Sequence, residues 1–327
     1  MKRNTHIWQK TLVSMVVSSL LLGGCALPVE QTSSGVSMPS GWGERGDQVK
    51  ISPEGVPNFS WWQRFGSTEL IEMVLLAQSG GYDVAAAAAR VRQADARARM
   101  AGASLLPEVT GNVNASRDKD VGEPSTRSYT MGLSASYEVD IWGEKRASRL
   151  SAMASRDAAV FAHDAVLLTL MASTAQSYLR TVAWRERVAI ARYNLTAAER
   201  VLGLVESRYR VGSASAQETA QQRTLVASLR QVLALRQQQE HQSLTTLAVL
   251  LGRPPQKLTV RAVSLSSMKA PTVESGLPTD LLTRRPDVAA AERRLAAADA
   301  DVTVARAAML PTVRLTASYG VGSDRVR

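Results

Sequence analysis

Asp83–Val109 reads DVAAAAARVRQADARARMAGASLLPEV, and Asp287–Val313 reads DVAAAERRLAAADADVTVARAAMLPTV. At a constant offset of 204, 14 of the 27 positions are identical without a gap. Half of these matches are alanine and discriminate little. The other half are Asp83/Asp287, Val84/Val288, Arg90/Arg294, Asp95/Asp299, Leu106/Leu310, Pro107/Pro311 and Val109/Val313, spread over an apolar-periodic stretch that ends at a proline. Self-similarity at a fixed period marks a duplicated structural unit. Each copy predicts an alanine-rich helix stopped by proline. The second copy reaches only Arg327, about 40 residues into a unit of roughly 200, so the expectation is one repeat and the start of another.

Beyond each proline the period changes from helical to alternating. Val109, Val113 and Ala115 take one parity, with Thr110, Asn112, Asn114 and Ser116 between them. After a polar loop expected over Arg117–Arg127, Tyr129, Met131, Leu133, Ala135, Tyr137 and Val139 alternate with Thr130, Gly132, Ser134, Ser136, Glu138 and Asp140. Val313, Leu315, Ala317, Tyr319 and Val321 repeat the pattern in the second copy. These runs predict strands at about 107–117 and 128–141, each about ten residues, the length that spans a bilayer as a β-strand. A soluble hairpin with one wet face carries the same alternation. The repeat and the amino-terminal signal described below weigh towards the membrane.

From Gly143 to about Tyr209 no proline interrupts a helical pattern, which at 1.5 Å per residue is roughly 100 Å of helix. Ala154, Ala158, Phe161, Ala165, Leu168, Ala172, Ala175, Leu179 and Val182 recur at steps of four and three, a coiled-coil seam with many small knobs. Val211–Ser215 breaks this helix and Ala216–Leu251 resumes it in the opposite sense, so residues 144–251 form a long helical hairpin. The return arm carries Gln217, Gln221, Gln222, Gln231, Gln237, Gln238, Gln239 and Gln242, a set that suits either a water-filled lumen or an ordinary solvated face. Gly252-Arg253-Pro254-Pro255 ends the arm, and Lys257–Thr272 reads as an irregular or extended connector.

Residues 1–24 read as a signal peptide: Lys2, Arg3 and Lys10 precede or border an apolar core, Thr11–Leu22, too short to span a bilayer as a helix. The segment closes on Leu22-Gly23-Gly24-Cys25, the pattern of a bacterial lipoprotein signal. Cys25 is the only cysteine in the chain and the expected acceptor of diacylglycerol and an N-acyl chain. Ala26, in place of Asp, favours sorting to the outer membrane. Residues 25–60 follow as an acylated arm rich in Gly, Pro and Ser. With one cysteine no intrachain disulfide or cysteine-based metal site forms. His163 and His241 have no ligand-spaced partners, so no metal is expected. The net charge of +10 is scattered, and three of its cations lie in the signal, so nucleic acid is not an expected partner.

Three segments carry a family resemblance. Tyr137-Glu138-Val139-Asp140-Ile141-Trp142-Gly143 resembles a strand-to-helix junction, with Asp140, Trp142 and Gly143 as its motif residues. Leu277–Val288, with Arg284, Arg285, Pro286 and Asp287, resembles the family's most specific signature. Arg208-Tyr209-Arg210-Val211-Gly212-Ser213 resembles its periplasmic helix tip. Together they resemble the TolC-like outer-membrane efflux channels, in the lipid-anchored NodT/OprM-type branch. The resemblance implies a mainly α fold with a small transmembrane β part. Long coiled-coil hairpins would build a periplasmic tunnel, and strands would enter a barrel shared by a homotrimer. It places residues 61–286 in the first channel repeat and 287–327 in the second. It implies that Tyr209, Val211, Gly212 and Ser213 contact a periplasmic adaptor, that an inner-membrane drug pump supplies energy, and that Tyr129, Met131, Leu133, Tyr137 and Val139 face outer-membrane lipid.

A complete member is expected to give four strands, so three strands per chain, nine per trimer, imply an impaired channel. Multidrug export without enzymatic chemistry is the implied role, since no nucleophile–base set or phosphate loop is present. The alternative is a periplasmic coiled-coil lipoprotein acting as scaffold or adaptor without a pore. Such a protein has no use for the apolar band of Tyr129, Leu133, Tyr137 and Val139.

Overall fold

A computed structural model describes residues 60–118, 126–271 and 284–326. Cys25, the signal, the arm as far as residue 59 and the stretch Leu277–Thr283 of the signature lie outside the described residues. A 3₁₀ turn, Trp61–Phe65, precedes α1 (Thr68–Gly80) and α2 (Tyr82–Ala103). Then come β1 (Glu108–Asp118), β2 (Thr126–Val139), α3 (Glu144–Arg210), α4 (Ala216–Leu250), α5 (Pro286–Ala307) and β3 (Val313–Val326). The offset of 204 persists in three dimensions: α2 and α5 are both 22 residues long and begin and end at positions related by that offset. The strand that follows each helix starts one residue (Glu108) or two residues (Val313) after the proline, which cannot donate a helical hydrogen bond.

The described residues form two compact units. One holds residues 90–118, 126–161 and 288–326; the other holds residues 60–89, 162–271 and 284–287. In the first, three strands make an antiparallel meander in the order β1-β2-β3. The helical positions buried in this unit are nearly all small: Ala147, Ser151, Ala158, Ala290, Ala297, Ala300, Thr303 and Ala307. The buried positions of these helices are thus small knobs, as the alanine-rich repeat predicts.

The second unit has the larger side chains. Trp62, Leu70, Met73, Val74, Leu170, Met171, Tyr178, Val182, Leu247, Leu251, Leu258 and Val260 form one core. The expected seam of α3 departs from observation here. Leu168 and Ala172 are exposed, and Leu170, Met171, Thr174 and Tyr178 are buried instead. The reason is a third element: α1 packs on the flank of α3, with Gln78 donating to Met171 Sδ and Tyr178 donating to Glu69. A two-helix seam gives way to a three-way contact, which a heptad pattern does not encode.

The connector expected over residues 257–272 is, as far as residue 271, extended, with short 3₁₀ turns at Pro255–Lys257 and Leu265–Ser267. Side chains satisfy its backbone in place of a neighbouring strand. Glu69 accepts from the N–H groups of Arg261 (2.6 Å) and Ala262 (3.0 Å). Arg185 donates to the carbonyls of Val260 and Ala262, and Glu186 accepts from Leu265 N–H. Burial alone would raise the pKa of Glu69, but these two amides, the Tyr178 hydroxyl and the Arg261 charge outweigh it and hold the carboxyl below its ordinary value. Burial, reinforced by the Glu69 charge, pushes the Tyr178 phenol up to about 12, so it remains a neutral donor.

Candidate channel-forming surfaces

Directly opposed residues in an antiparallel sheet point to the same face. The observed register aligns Val113 with Met131 and Met131 with Val321, Leu133 with Tyr319, Tyr137 with Leu315 and Val139 with Val313. From Val109 to Val139 and from Val313 to Val321, every strongly apolar strand residue therefore falls on one face. That face is uncovered within the chain: Val113 is 79% exposed, Met131 59%, Leu133 55% and Tyr319 75%. The alternation predicted from sequence thus becomes one continuous apolar surface across three strands.

The opposite face is small and polar, with Thr110, Asn112 and Asn114 on β1, Thr130, Gly132, Ser134 and Ser136 on β2, and Thr316, Ser318, Gly320 and Gly322 on β3. Thr110 and Ser134 share a 2.7 Å hydrogen bond across β1 and β2. A Cβ on Gly132 would stand 2.8 Å from Asn112 Oδ1, so glycine there makes room for the opposing amide. By register Asp118 and Asp324 hold positions of this parity at the end remote from the helices, and at the helix-proximal end Glu138 pairs with Lys145 (3.8 Å) and Arg314 (3.3 Å), so the middle of the face is uncharged.

The two strand ends differ from the expectation. β1 continues through Arg117 and Asp118, and β2 begins at Thr126, so Arg117 and Arg127 are paired strand residues and not loop. At the other end β2 stops at Val139, two residues short of the expected 141, because Asp140 leaves the sheet to serve the next helix. Its carboxylate accepts from the backbone N–H groups of Lys145 and Arg146, both at 3.0 Å, and from the Arg146 guanidinium at 3.0 Å. Two orphan donors at the start of the 67-residue α3 are thereby satisfied. Burial would raise the Asp140 pKa, but these donors hold it below the ordinary range.

Gly143 makes the turn at φ +83°, a left-handed conformation that favours glycine, and its carbonyl receives the first helical hydrogen bond from Ala147. Trp142 donates its indole N–H to the Pro311 carbonyl at 2.7 Å. That contact ties the end of β2 to the proline before β3, 169 residues away in sequence.

At the signature, Pro286 is the first residue of α5, where its missing N–H costs nothing. Arg285 forks onto both oxygens of Asp287, which raises the guanidinium pKa further. Arg284 adjoins them and also has a polar partner.

The turn between α3 and α4 is a Schellman motif. Gly212, at φ +76°, donates to Tyr209 O (3.0 Å), and Ser213 donates to Arg208 O (2.9 Å). Ser215 and Glu218 form a reciprocal capping box that starts α4. Tyr209 and Val211 project from the turn, 48% and 77% exposed. Nearby, Arg223–Glu206 and Arg230–Glu199 pairs bridge the two arms.

Comparison with known proteins places these elements in a family. The model described as "Outer membrane efflux protein" matches residues 75–253 and 277–327, and the chain belongs to this family. The chain is 45% identical over 329 residues to "Pyoverdine export outer membrane protein OpmQ" of Pseudomonas aeruginosa, covering 96% of this chain and 68% of that protein. It is 43% identical over 318 residues to the protein of the same description in Pseudomonas putida, covering 94% and 67%. A solved structure of CusC, whose description concerns folding and transmembrane channel formation, superposes with a TM-score of 0.74 at 25% identity, covering 91% of this chain and 68% of that one. The chain thus spans about two thirds of the length of these relatives. The mainly helical TolC-like fold with a small strand contribution holds, and the class is that of channels of the outer membrane.

The site residues divide accordingly. The structure brings Tyr129, Met131, Leu133, Tyr137 and Val139 onto one face, joins Asp140, Trp142 and Gly143 in one junction, and sets Tyr209, Val211, Gly212 and Ser213 in one turn. Sequence reading missed the clasp of Glu69 with Tyr178, the reach of Trp142 to Pro311 and the strand placement of Arg117 and Arg127. Only the last had a signal, since both arginines continue the odd parity of the apolar positions.

Proposed function

We propose that this chain lines an efflux conduit across the outer membrane, with the apolar sheet face against lipid and the polar face towards water. The observation that carries the reading is the sheet register, which gathers the strongly apolar strand side chains on one uncovered face. Such a face has no stable place in water, and closing the sheet through neighbouring copies removes its open edges. Three copies would share one barrel. The α3–α4 hairpins would form the periplasmic tunnel, with the tip at Tyr209–Ser213 meeting an adaptor that engages an inner-membrane pump. Cys25 would carry the acyl anchor. The channel conducts passively and performs no bond chemistry.

The cargo to test first is pyoverdine, from the description of two relatives above 40% identity. The multidrug cargo expected from family resemblance stands second, favoured by a mid-strand polar face that is small and uncharged.

Because Cys25 is the chain's only cysteine, single cysteines report cleanly. A water-soluble maleimide applied to membranes should label cysteine at Thr130 or Ser134 and leave cysteine at Met131 or Leu133 unlabelled. Equal labelling of both sets would refute the insertion of these strands.

A further inference from the structure

We infer that the groove between α3 and α4 around Trp184 binds a carboxylate-bearing organic anion, which makes the cargo of the conduit an acid. The binding rests on the groove itself, and its link to cargo rests on the efflux reading above. A cavity of about 450 Å³ opens between the two helices, and its lining includes Gln176, Arg180 and Trp184 of α3 with Gln239, Gln242 and Thr246 of α4. Steps of three and four keep these positions on one face of each helix.

Charge decides what the groove accepts. Arg187 lies over the Trp184 ring at 4.6 Å from its centre, and Arg236 lies over the same ring at 5.5 Å. Neither has a carboxylate partner among the described residues, and Arg180, exposed in the groove, has no hydrogen-bond or ion-pair partner among them. The two nearest acids in sequence are already engaged: Glu240 with Arg185 at 3.1 Å, and Glu186 with Ser264 Oγ and Leu265 N–H. From residue 165 to residue 250 the hairpin holds ten arginines and five glutamates, with no lysine or aspartate, a net charge of +5. Each of the five glutamates has a partner within the chain, so the surplus is left on guanidinium groups.

Stacking on an indole holds a guanidinium in place and leaves its N–H edge free to fork onto a carboxylate. Two like charges against one ring repel each other, and a third stands free in the groove that this ring lines, so a bound anion relieves them. The volume is that of a site for an organic molecule and exceeds what a single inorganic ion fills. Side-chain amides and hydroxyls make up most of the remaining lining and can donate to or accept from the rest of a polar acid. No carboxylate lines the groove, so a cationic ligand finds no counter-charge there.

The test reads fluorescence polarisation of carboxyfluorescein with the mature full-length chain in detergent, beside a cationic rhodamine of the same ring system, each corrected for protein-free micelles. The anionic dye should bind, bind less as salt is added, and lose about tenfold in affinity in R180Q, with a greater loss in R180Q/R187Q/R236Q. Because Arg180 has no partner within the described chain, R180Q removes a free charge and no fold contact. R192Q, outside the groove lining, should bind as the unaltered chain does. No binding of carboxyfluorescein, equal binding of the rhodamine, or an unchanged affinity in R180Q overturns the inference. Maleimide labelling of cysteine at Leu133 and Ser134 in membranes separates the two readings. A lost inside–outside pattern with dye binding retained defeats the conduit and leaves the anion groove, and a retained pattern without dye binding defeats only the groove.

Discussion

Replacing Glu69 with alanine removes the acceptor of three donors at once: Arg261 N–H at 2.6 Å, Ala262 N–H at 3.0 Å and Tyr178 OH at 2.9 Å. Glu69 is 7% exposed and Tyr178 is fully buried, so water does not readily replace the lost carboxylate. A buried donor left unsatisfied costs about 1–3 kcal/mol. The Tyr178 hydroxyl can fall back on Ser67 Oγ at 3.4 Å, which leaves the two amides as the main loss, about 3 kcal/mol together. The connector from Leu258 to Leu265 should open locally, and hydrogen exchange at Arg261 and Ala262 should quicken by about 150-fold, the equivalent of that energy.

Glutamine in place of Glu69 fares little better. With either orientation of the amide, its NH₂ faces a backbone N–H, so a loss of about 1–2 kcal/mol is expected. Because the Glu69 carboxyl sits below its ordinary pKa, its contribution is full above the unfolded carboxylate value and is lost as pH falls through the folded value. The difference between wild type and E69A should therefore shrink in acid. Unchanged exchange at Arg261 and Ala262 in E69A at neutral pH would refute the clasp. So would a difference that grows on acidification.

Glycine positions give a second contrast. In Gly252→Ala the Cβ would stand 2.4 Å from Gly80 O at φ +64°, so a loss of about 3 kcal/mol is expected, whereas Gly212→Ala, at φ +76° in open space, should cost about 1 kcal/mol in urea unfolding. Asp140→Ala strips two acceptors from the start of α3 and should cost about 2 kcal/mol, seen as a lowered melting temperature and faster exchange at Lys145 and Arg146. Thr174 Oγ1 is buried without a hydrogen-bond partner among the described residues, so Thr174→Val should be neutral or stabilise by about 1 kcal/mol. A marked destabilisation there would reveal an unseen partner.

Elements whose cause is local are legible in the sequence. The repeat places α2 and α5, since alanine-rich periodicity and a stopping proline act within one segment. Parity along β2 identifies the apolar set, because a strand alternates faces whatever its neighbours are. Gly212 marks the tip, as a left-handed helix end needs a residue without Cβ. What stays hidden depends on approach between segments distant in sequence. Leu168 and Ala172 fit a heptad, yet α1 claims the flank that carries Met171 and Tyr178. Glu69 reads as an ordinary exposed helix acid until Arg261, 192 residues later, brings its amide to it. Parity hints at the side of Arg117 and Arg127, but only the register sets them opposite each other and opposite Arg325. Short-range sterics and periodicity determine the pieces, whereas the hydrogen bonds and charges that join them require the tertiary structure, because their partners have no fixed spacing along the chain.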